Sequence, residues 1–117
     1  MIHGACHCGT VTFKADPNSR FLVECNCSIC RKLGAIWLHG PPAILTISAP
    51  PNSTIAYAWG DRNLDFHSCK TCGCTTHWSL KEDPSRQAVN MRLADPQVWQ
   101  TLPLRHFDGA ESWDFLD

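Results

Sequence analysis

Short runs in which apolar or β-branched residues alternate with polar ones occur along most of the chain, with Gly, Pro and Asn between them. In residues 10–14, for example, Val11 and Phe13 would lie on one face of a strand. Many short strands separated by turn residues predict an all-β protein, a small open barrel or sandwich of short antiparallel strands. The predicted strands comprise residues 10–14, 21–24, 35–39, 44–47, 54–59, 75–80, 88–92 and 104–107.

Only residues 28–33 are predicted to form a helix, which Gly34 would end. Pro41-Pro42 and Pro50-Pro51 exclude helix at those positions and mark turns. The 117 residues contain neither an internal repeat nor a segment with the composition of a linker. We therefore expect residues 1–117 to form a single domain.

The charge pattern excludes some classes of partner. Ten Lys and Arg residues stand against eleven Asp and Glu residues, without a basic stripe, which argues against nucleic acid or an anionic membrane surface. Every apolar run is far shorter than the ~20 residues that a membrane span needs. The first residues lack the charged and apolar regions of a signal peptide, so the expected location is the cytoplasm.

The location determines how the eight cysteines are interpreted. They fall into three groups, at residues 6–8, 25–30 and 69–74. Groups this dense are disulfide frameworks in secreted proteins but metal ligands in cytosolic ones. Two cysteines in a Cys-x-Cys pair are poorly placed to bridge one another, whereas both can face one metal ion. We therefore expect two zinc ions per chain.

The first and third groups together supply four thiolates, the set that closes a structural zinc site. Gly73 directly after the last of them permits the left-handed turn typical of such ligand loops. The predicted structural ligands are Cys6, Cys8, Cys69 and Cys72.

The middle group supplies three thiolates, Cys25, Cys27 and Cys30, and three protein ligands with an open position are the pattern of a catalytic zinc. Arg31 and Lys32 would offset the negative charge and favour an anionic ligand, unless they only form the solvated face of the helix. Cys74 or a histidine would close the second site if it supplied a fourth ligand. Cys74 could also serve the first site, but we expect it to be a free, small apolar residue at the start of a strand.

Five motifs resemble the glutathione-dependent formaldehyde-activating enzyme family, and together they cover nearly the whole chain. They lie at residues 4–9, 25–35, 69–73, 89–93 and 106–113. The resemblance implies a compact all-β zinc fold, shared with a Rab exchange factor/chaperone and with methionine-R-sulfoxide reductases. It also implies the same division into structural and reactive zinc ligands that the cysteine spacing predicts.

The resemblance and the open site together predict a carbon–sulfur lyase. A small thiol such as glutathione would add to an aldehyde such as formaldehyde, with His67 or His106 as the group that moves the proton. The alternative is a zinc-stabilised protein-binding module without catalysis. Methionine-sulfoxide reduction is disfavoured, because it needs a free cysteine opposite the metal and Cys74 lies beside the structural group. The five tryptophans are expected mostly in the core, with Trp37 beside the open site.

Overall fold

A computed structural model of the chain describes residues 1–16, 18 and 21–117. Within these residues the chain is mostly β, with short strands, two short α-helices and one 3₁₀ turn. The helices are α1 (Ser28–Leu33) and α2 (Pro96–Trp99), and the 3₁₀ turn is Met91–Leu93. The strands are β1 (Ile2–Ala5), β2 (Thr12–Ala15), β3 (Leu22–Cys25), β4 (Trp37–His39), β5 (Leu45–Ser48), β6 (Thr54–Tyr57), β7 (Leu64–Cys69), β8 (Thr75–Leu80), β9 (Gln87–Asn90), β10 (Leu104–Asp108) and β11 (Asp114–Phe115).

The strands form two open sheets. The smaller sheet has the order β1-β2-β5, and the larger has the order β11-β10-β3-β4-β9-β8-β7-β6. Neighbouring strands are antiparallel except β3 and β10, which pair in parallel with Cys25 opposite Phe107. The predicted all-β class is confirmed, and neither sheet closes into a barrel.

The main core lies between the two sheets. Phe13 and Leu45 from the smaller sheet pack in one cluster with Leu22, Leu38 and Val89 from the larger sheet. Leu38 lies opposite Val89 in the β4–β9 register, so both side chains project from the same face. The smaller sheet therefore covers this face, here called the core face, over the central strands.

The other face of the larger sheet, here called the thiol face, carries a second cluster. Trp37, Phe66 and Ala88 pack there with Cys30 of α1. Phe66 lies opposite Trp78, and Trp78 lies opposite Ala88, so the register places these residues on one side of the sheet. Helix α1 packs against this face.

The helix has its predicted bounds. Cys27 is the N-cap, and its sulfur accepts a hydrogen bond from the Cys30 N–H at 3.4 Å. Gly34 ends the helix in the left-handed conformation at φ 68°, with its N–H donating to the Cys30 carbonyl at 3.0 Å. A residue with a Cβ would be strained at this φ, which explains why glycine stands there.

The eight predicted strands are present, strand 75–80 with its predicted ends and the others with shifted ends. The predicted strand 88–92 ends at Asn90, because the Asn90 side chain accepts from the Arg92 N–H at 3.2 Å and starts the 3₁₀ turn. Strands β1, β7 and β11 and helix α2 were not predicted. The tryptophan expectation was partly wrong, since Trp113 is 72% exposed and Trp59 is 44% exposed. No helix among the described residues is long and apolar enough to cross a membrane.

We expect Leu22→Ala to lower the free energy of unfolding by about 2–5 kcal/mol, because it leaves a cavity between the two sheets. Leu22 is 1% exposed. Urea denaturation followed by tryptophan fluorescence measures the change. Leu116→Ala is the matched control, since Leu116 is 65% exposed and its truncation should alter stability little. Equal losses in the two variants would contradict the assignment of the core.

Candidate metal centres

The first thiol cluster consists of Cys6, Cys8, Cys69 and Cys72, whose sulfur atoms all lie within 4.8 Å of one another. Two similar turns build it, one between β1 and β2 and the other between β7 and β8. Gly9 N–H donates to the Cys6 carbonyl and Gly73 N–H donates to the Cys69 carbonyl, both at 2.9 Å. Gly9 and Gly73 have φ values of 83° and 79°, which glycine adopts without strain.

The sulfur spacing of this cluster fits a tetrahedral metal ion. The Cys6 and Cys8 sulfurs are 3.7 Å apart, and those of Cys8 and Cys69 are 3.6 Å apart. Zinc–sulfur bonds of ~2.3 Å at tetrahedral angles place sulfur atoms about 3.8 Å apart. The Val11 N–H also donates to the Cys6 sulfur at 3.3 Å, a contact that favours the thiolate form in which cysteine binds a metal ion. The first thiol cluster is therefore suited to hold a metal ion.

The second thiol cluster consists of Cys25, Cys27 and Cys30, whose sulfurs also lie within 4.8 Å of one another. Its residues come from the end of β3 and the first turn of α1, so a single local segment supplies all three. The Cys27 N–H donates to the Cys25 sulfur at 3.4 Å. The indole N–H of Trp37 donates to the Cys30 sulfur at 3.4 Å, which confirms the predicted place of Trp37 beside this cluster.

Hydrogen bonds within the second thiol cluster shift the pKa values of Cys25 and Cys30 in opposite directions. A hydrogen bond from the Cys30 thiol is the main cause that lowers the pKa of Cys25 to about 5. The same contact, together with burial, raises the pKa of Cys30. The contact thus favours the thiolate form of Cys25 and the protonated form of Cys30. A cluster that already stabilises a thiolate is suited to bind a cation.

An open cleft adjoins the second thiol cluster. Its volume is about 290 Å³, and it is lined by Asn26, Cys27, Ser28, Arg31, Trp59, Gly109 and Ala110. A smaller cleft of about 140 Å³ shares Ser28 and Trp59 with it and adds Ile29, Lys32 and Tyr57. In the described part of the chain, neither Arg31 nor Lys32 has a carboxylate partner within salt-bridge distance. An unpaired cationic side chain therefore lies in each cleft, Arg31 with Cys27 in the larger and Lys32 in the smaller.

The structure does not bring His67 or His106 to the second thiol cluster. His67 lies opposite His77, which lies opposite Val89, so His67 shares the core face of the sheet. Its ring stacks on the His77 ring with centroids 4.3 Å apart.

His106 also projects from the core face. It lies opposite Glu24, the neighbour of Cys25, so it points away from the face that carries the Cys25 side chain. Its Nδ1 is 2.8 Å from Asp117 Oδ2, and this contact is the main cause that raises the pKa of His106. Strand register, which the sequence alone does not reveal, is the reason for both histidine placements.

Cys74 lies beside the first thiol cluster, outside its group of four sulfurs, and away from the second thiol cluster. It is half-buried and packs against a small apolar cluster that contains Cys6, Val11 and Cys69. It belongs to neither group of sulfurs within 4.8 Å of one another. Gly109 and Ala110, which line the cleft, were not predicted as site residues, although they fall within a family motif.

The fold and the two thiol clusters define a class: a small, mostly β protein with two candidate metal centres built from cysteine. Residues 1–105 match the family model described as glutathione-dependent formaldehyde-activating enzyme, and the chain belongs to that family. The fold is also similar to the crystal structure of a Rhodobacter sphaeroides protein, with a TM-score of 0.69 and 27% identity. That similarity covers 88% of this chain and 99% of the other. The resemblance seen in the sequence motifs is thus confirmed.

In metal-free protein, we expect Cys25 to react with iodoacetamide at a rate that changes little between about pH 6.5 and 8. A thiol with a pKa of about 5 is already ionised there. Peptide mass spectrometry after timed alkylation measures the rate for each cysteine. Cys6, whose pKa is raised by burial, serves as the internal control and should react more slowly, with a rate that increases with pH. A Cys25 rate that increases about tenfold per pH unit would contradict the assignment.

Proposed function

We propose that the protein is a zinc-dependent carbon–sulfur lyase that forms and cleaves adducts between a small thiol and an aldehyde, with glutathione and formaldehyde as the substrate pair. One observation carries the proposal: three sulfurs, with no fourth sulfur grouped with them among the described residues, lie beside an open cleft lined by the unpaired cationic side chain of Arg31. Membership of the glutathione-dependent formaldehyde-activating enzyme family supports this substrate class.

The proposal assigns a structural zinc to Cys6, Cys8, Cys69 and Cys72, and a second zinc to Cys25, Cys27 and Cys30. A zinc ion held by three thiolates supplies a Lewis-acid position for a thiol sulfur or a carbonyl oxygen. We further propose that residues 1–117 act as one domain. Because free thiols persist in a reducing compartment, we propose the cytoplasm as the location.

The protein's own residues would bind and orient the substrates. The guanidinium of Arg31 would pair with a carboxylate of the incoming thiol, and Lys32 would add positive charge at the neighbouring cleft. Trp59 would cover the apolar part of the substrate and exclude water from one side. The indole N–H of Trp37 would hold the Cys30 sulfur in place.

The reaction balances without an oxidant or a reductant. The thiol sulfur forms a bond to the aldehyde carbon, the carbonyl π bond breaks, and the proton that leaves the sulfur ends on the new hydroxyl oxygen. The reverse reaction breaks the same carbon–sulfur bond. His67 and His106 have no part in the proposal, because they project from the other face of the sheet.

We expect Cys30→Ser to reduce the exchange between glutathione, formaldehyde and their adduct to the uncatalysed rate. Exchange NMR with ¹³C-labelled formaldehyde measures it. Cys74→Ser is the matched control, since Cys74 belongs to neither thiol cluster, and it should keep the activity. If the unaltered protein does not accelerate exchange, the non-catalytic binding module takes the place of the lyase. If Cys30→Ser remains fully active, the second thiol cluster is not the reactive site.

We expect Arg31→Gln to raise the KM for glutathione about fivefold with little change in kcat, because an exposed charge pair contributes about 1 kcal/mol. Lys14→Gln, which also removes an exposed positive charge but lies on β2, should leave KM unchanged. With 2-mercaptoethanol, a thiol that lacks a carboxylate, the two variants should behave alike. An equal change with both thiols would argue against a carboxylate contact at Arg31.

A further inference from the structure

We propose that Asn26 and Asp108 are positioning residues for the second thiol cluster, and that their side chains hold the loop 109–113 against the sulfur of Cys25. This inference rests on the proposed role of that cluster as a metal centre. Asn26 lies between Cys25 and Cys27 in the chain. Asp108 is the last residue of β10, the strand that pairs with β3. The two residues are 82 positions apart in the chain.

The Asn26 side chain uses both of its polar atoms on the far segment. Its Nδ2 donates to Asp108 Oδ1 at 2.9 Å, and its Oδ1 accepts from the Ala110 N–H at 3.0 Å. These two hydrogen bonds are called the Asn26 bridge below. The Asn26 backbone N–H also donates to the Phe107 carbonyl at 3.2 Å. Three hydrogen bonds thus tie Asn26 to the far segment, two of them to the end of β10 and one to Ala110 of the loop.

The second carboxylate oxygen of Asp108 shapes the loop itself. It accepts from the Ser112 N–H at 3.1 Å and from the Ser112 hydroxyl at 2.9 Å. The Asp108 carbonyl accepts from the Trp113 N–H at 2.7 Å. Asp108 therefore closes the loop with one oxygen and connects it to the cysteine segment with the other. This division explains why a carboxylate, with two acceptor atoms, occupies the position.

Gly109 is the part of the loop that meets the thiol cluster. A Cβ at this position would stand 2.6 Å from the Cys25 sulfur and 3.1 Å from the Cys27 Cβ. Only a residue without a side chain allows this approach. The Asn26 bridge thus keeps the Gly109 backbone against a sulfur of the candidate metal centre, and outer-shell contacts of this kind orient the ligands in metal sites.

Pairing between neighbouring strands does not hold the loop 109–113 against the second thiol cluster. The β3–β10 pairing ends at Cys25 and Phe107, before the loop begins. The β10–β11 pairing closes the loop on its own strand, with Asp108 opposite Asp114, and does not tie it to residues 25–30. The Asn26 bridge therefore couples the loop to the cysteine segment beyond the end of the strand pairing.

The test exchanges the two partners. Asn26→Asp removes the donor and places two carboxylates against each other. The double variant Asn26→Asp/Asp108→Asn restores the pairing, because the new amide donates to the new carboxylate and its oxygen still accepts from Ser112. The charges of the two positions are exchanged and their sum is unchanged. Recovery in the double variant would show that the two side chains act through their contact with each other.

The measurement reports zinc binding at each of the two thiol clusters separately in one sample. The folded protein is equilibrated at buffered zinc concentrations and pulsed with iodoacetamide, and protection is then measured for the peptides of each cluster. We expect Asn26→Asp to weaken zinc protection of Cys25, Cys27 and Cys30 about tenfold or more. The double variant should recover most of that loss. Protection of the first thiol cluster should stay unchanged in both variants.

Each outcome separates this inference from the proposed function. If zinc does not protect the second thiol cluster of the unaltered protein, its role as a metal centre fails. If zinc protects it equally in all variants, or if the double variant stays as weak as Asn26→Asp, the positioning role is overturned. Equal losses at both clusters indicate a general loss of stability and also overturn it. Should Asn26→Asp not fold, Asp108→Asn alone provides the same comparison with the double variant.

Discussion

Close contact between sulfur atoms is the constraint on which the rest of this structure depends. Cys8 and Cys69 are 61 residues apart in the chain, yet their sulfurs are 3.6 Å apart. Thiolates at this distance repel one another, so the turns of the two sheets meet stably only when a cation or bound protons balance the charge. That junction connects the β1–β2 turn of the smaller sheet to the β7–β8 turn of the larger one. The relative placement of the sheets thus depends on a polar contact as well as on the core between them.

The two faces of the larger sheet differ in role: one packs in the main core, and the other carries the second thiol cluster. The core face is covered by the smaller sheet and by buried aliphatic side chains such as Leu38, while the thiol face carries the three-cysteine segment and the cleft. Because successive residues of a strand alternate between faces, one strand serves both tasks. In β3, Leu22 packs in the main core and Cys25, three residues later, belongs to the second thiol cluster. A rigid core directly behind the cleft is what a site that needs fixed geometry requires.

Local features could be predicted from the sequence, and features that depend on register could not. The helix bounds and both thiol clusters follow from short-range spacing and from Gly34. Strand β1 contains a glycine and β11 has two residues, so neither shows the alternation by which strands are found. The face on which His67 and His106 lie is decided by strand pairing, which shifts every side chain if it slips by one residue. The Asn26 bridge joins segments 82 positions apart, so no local sequence pattern predicts it.

The parallel pairing of β3 with β10 has a consequence for how the chain is made. During translation, Cys25, Cys27 and Cys30 leave the ribosome as a complete local ligand set, whereas the segment that covers them, beginning at Gly109, is synthesised more than seventy residues later. At elongation rates of roughly 5–20 residues per second, the interval is several seconds. The nascent chain therefore presents an uncovered set of three thiols to metal ions, oxidants and chaperones before residues 109–113 exist. The ligands of the first thiol cluster, in contrast, come together only after the β7–β8 turn has emerged.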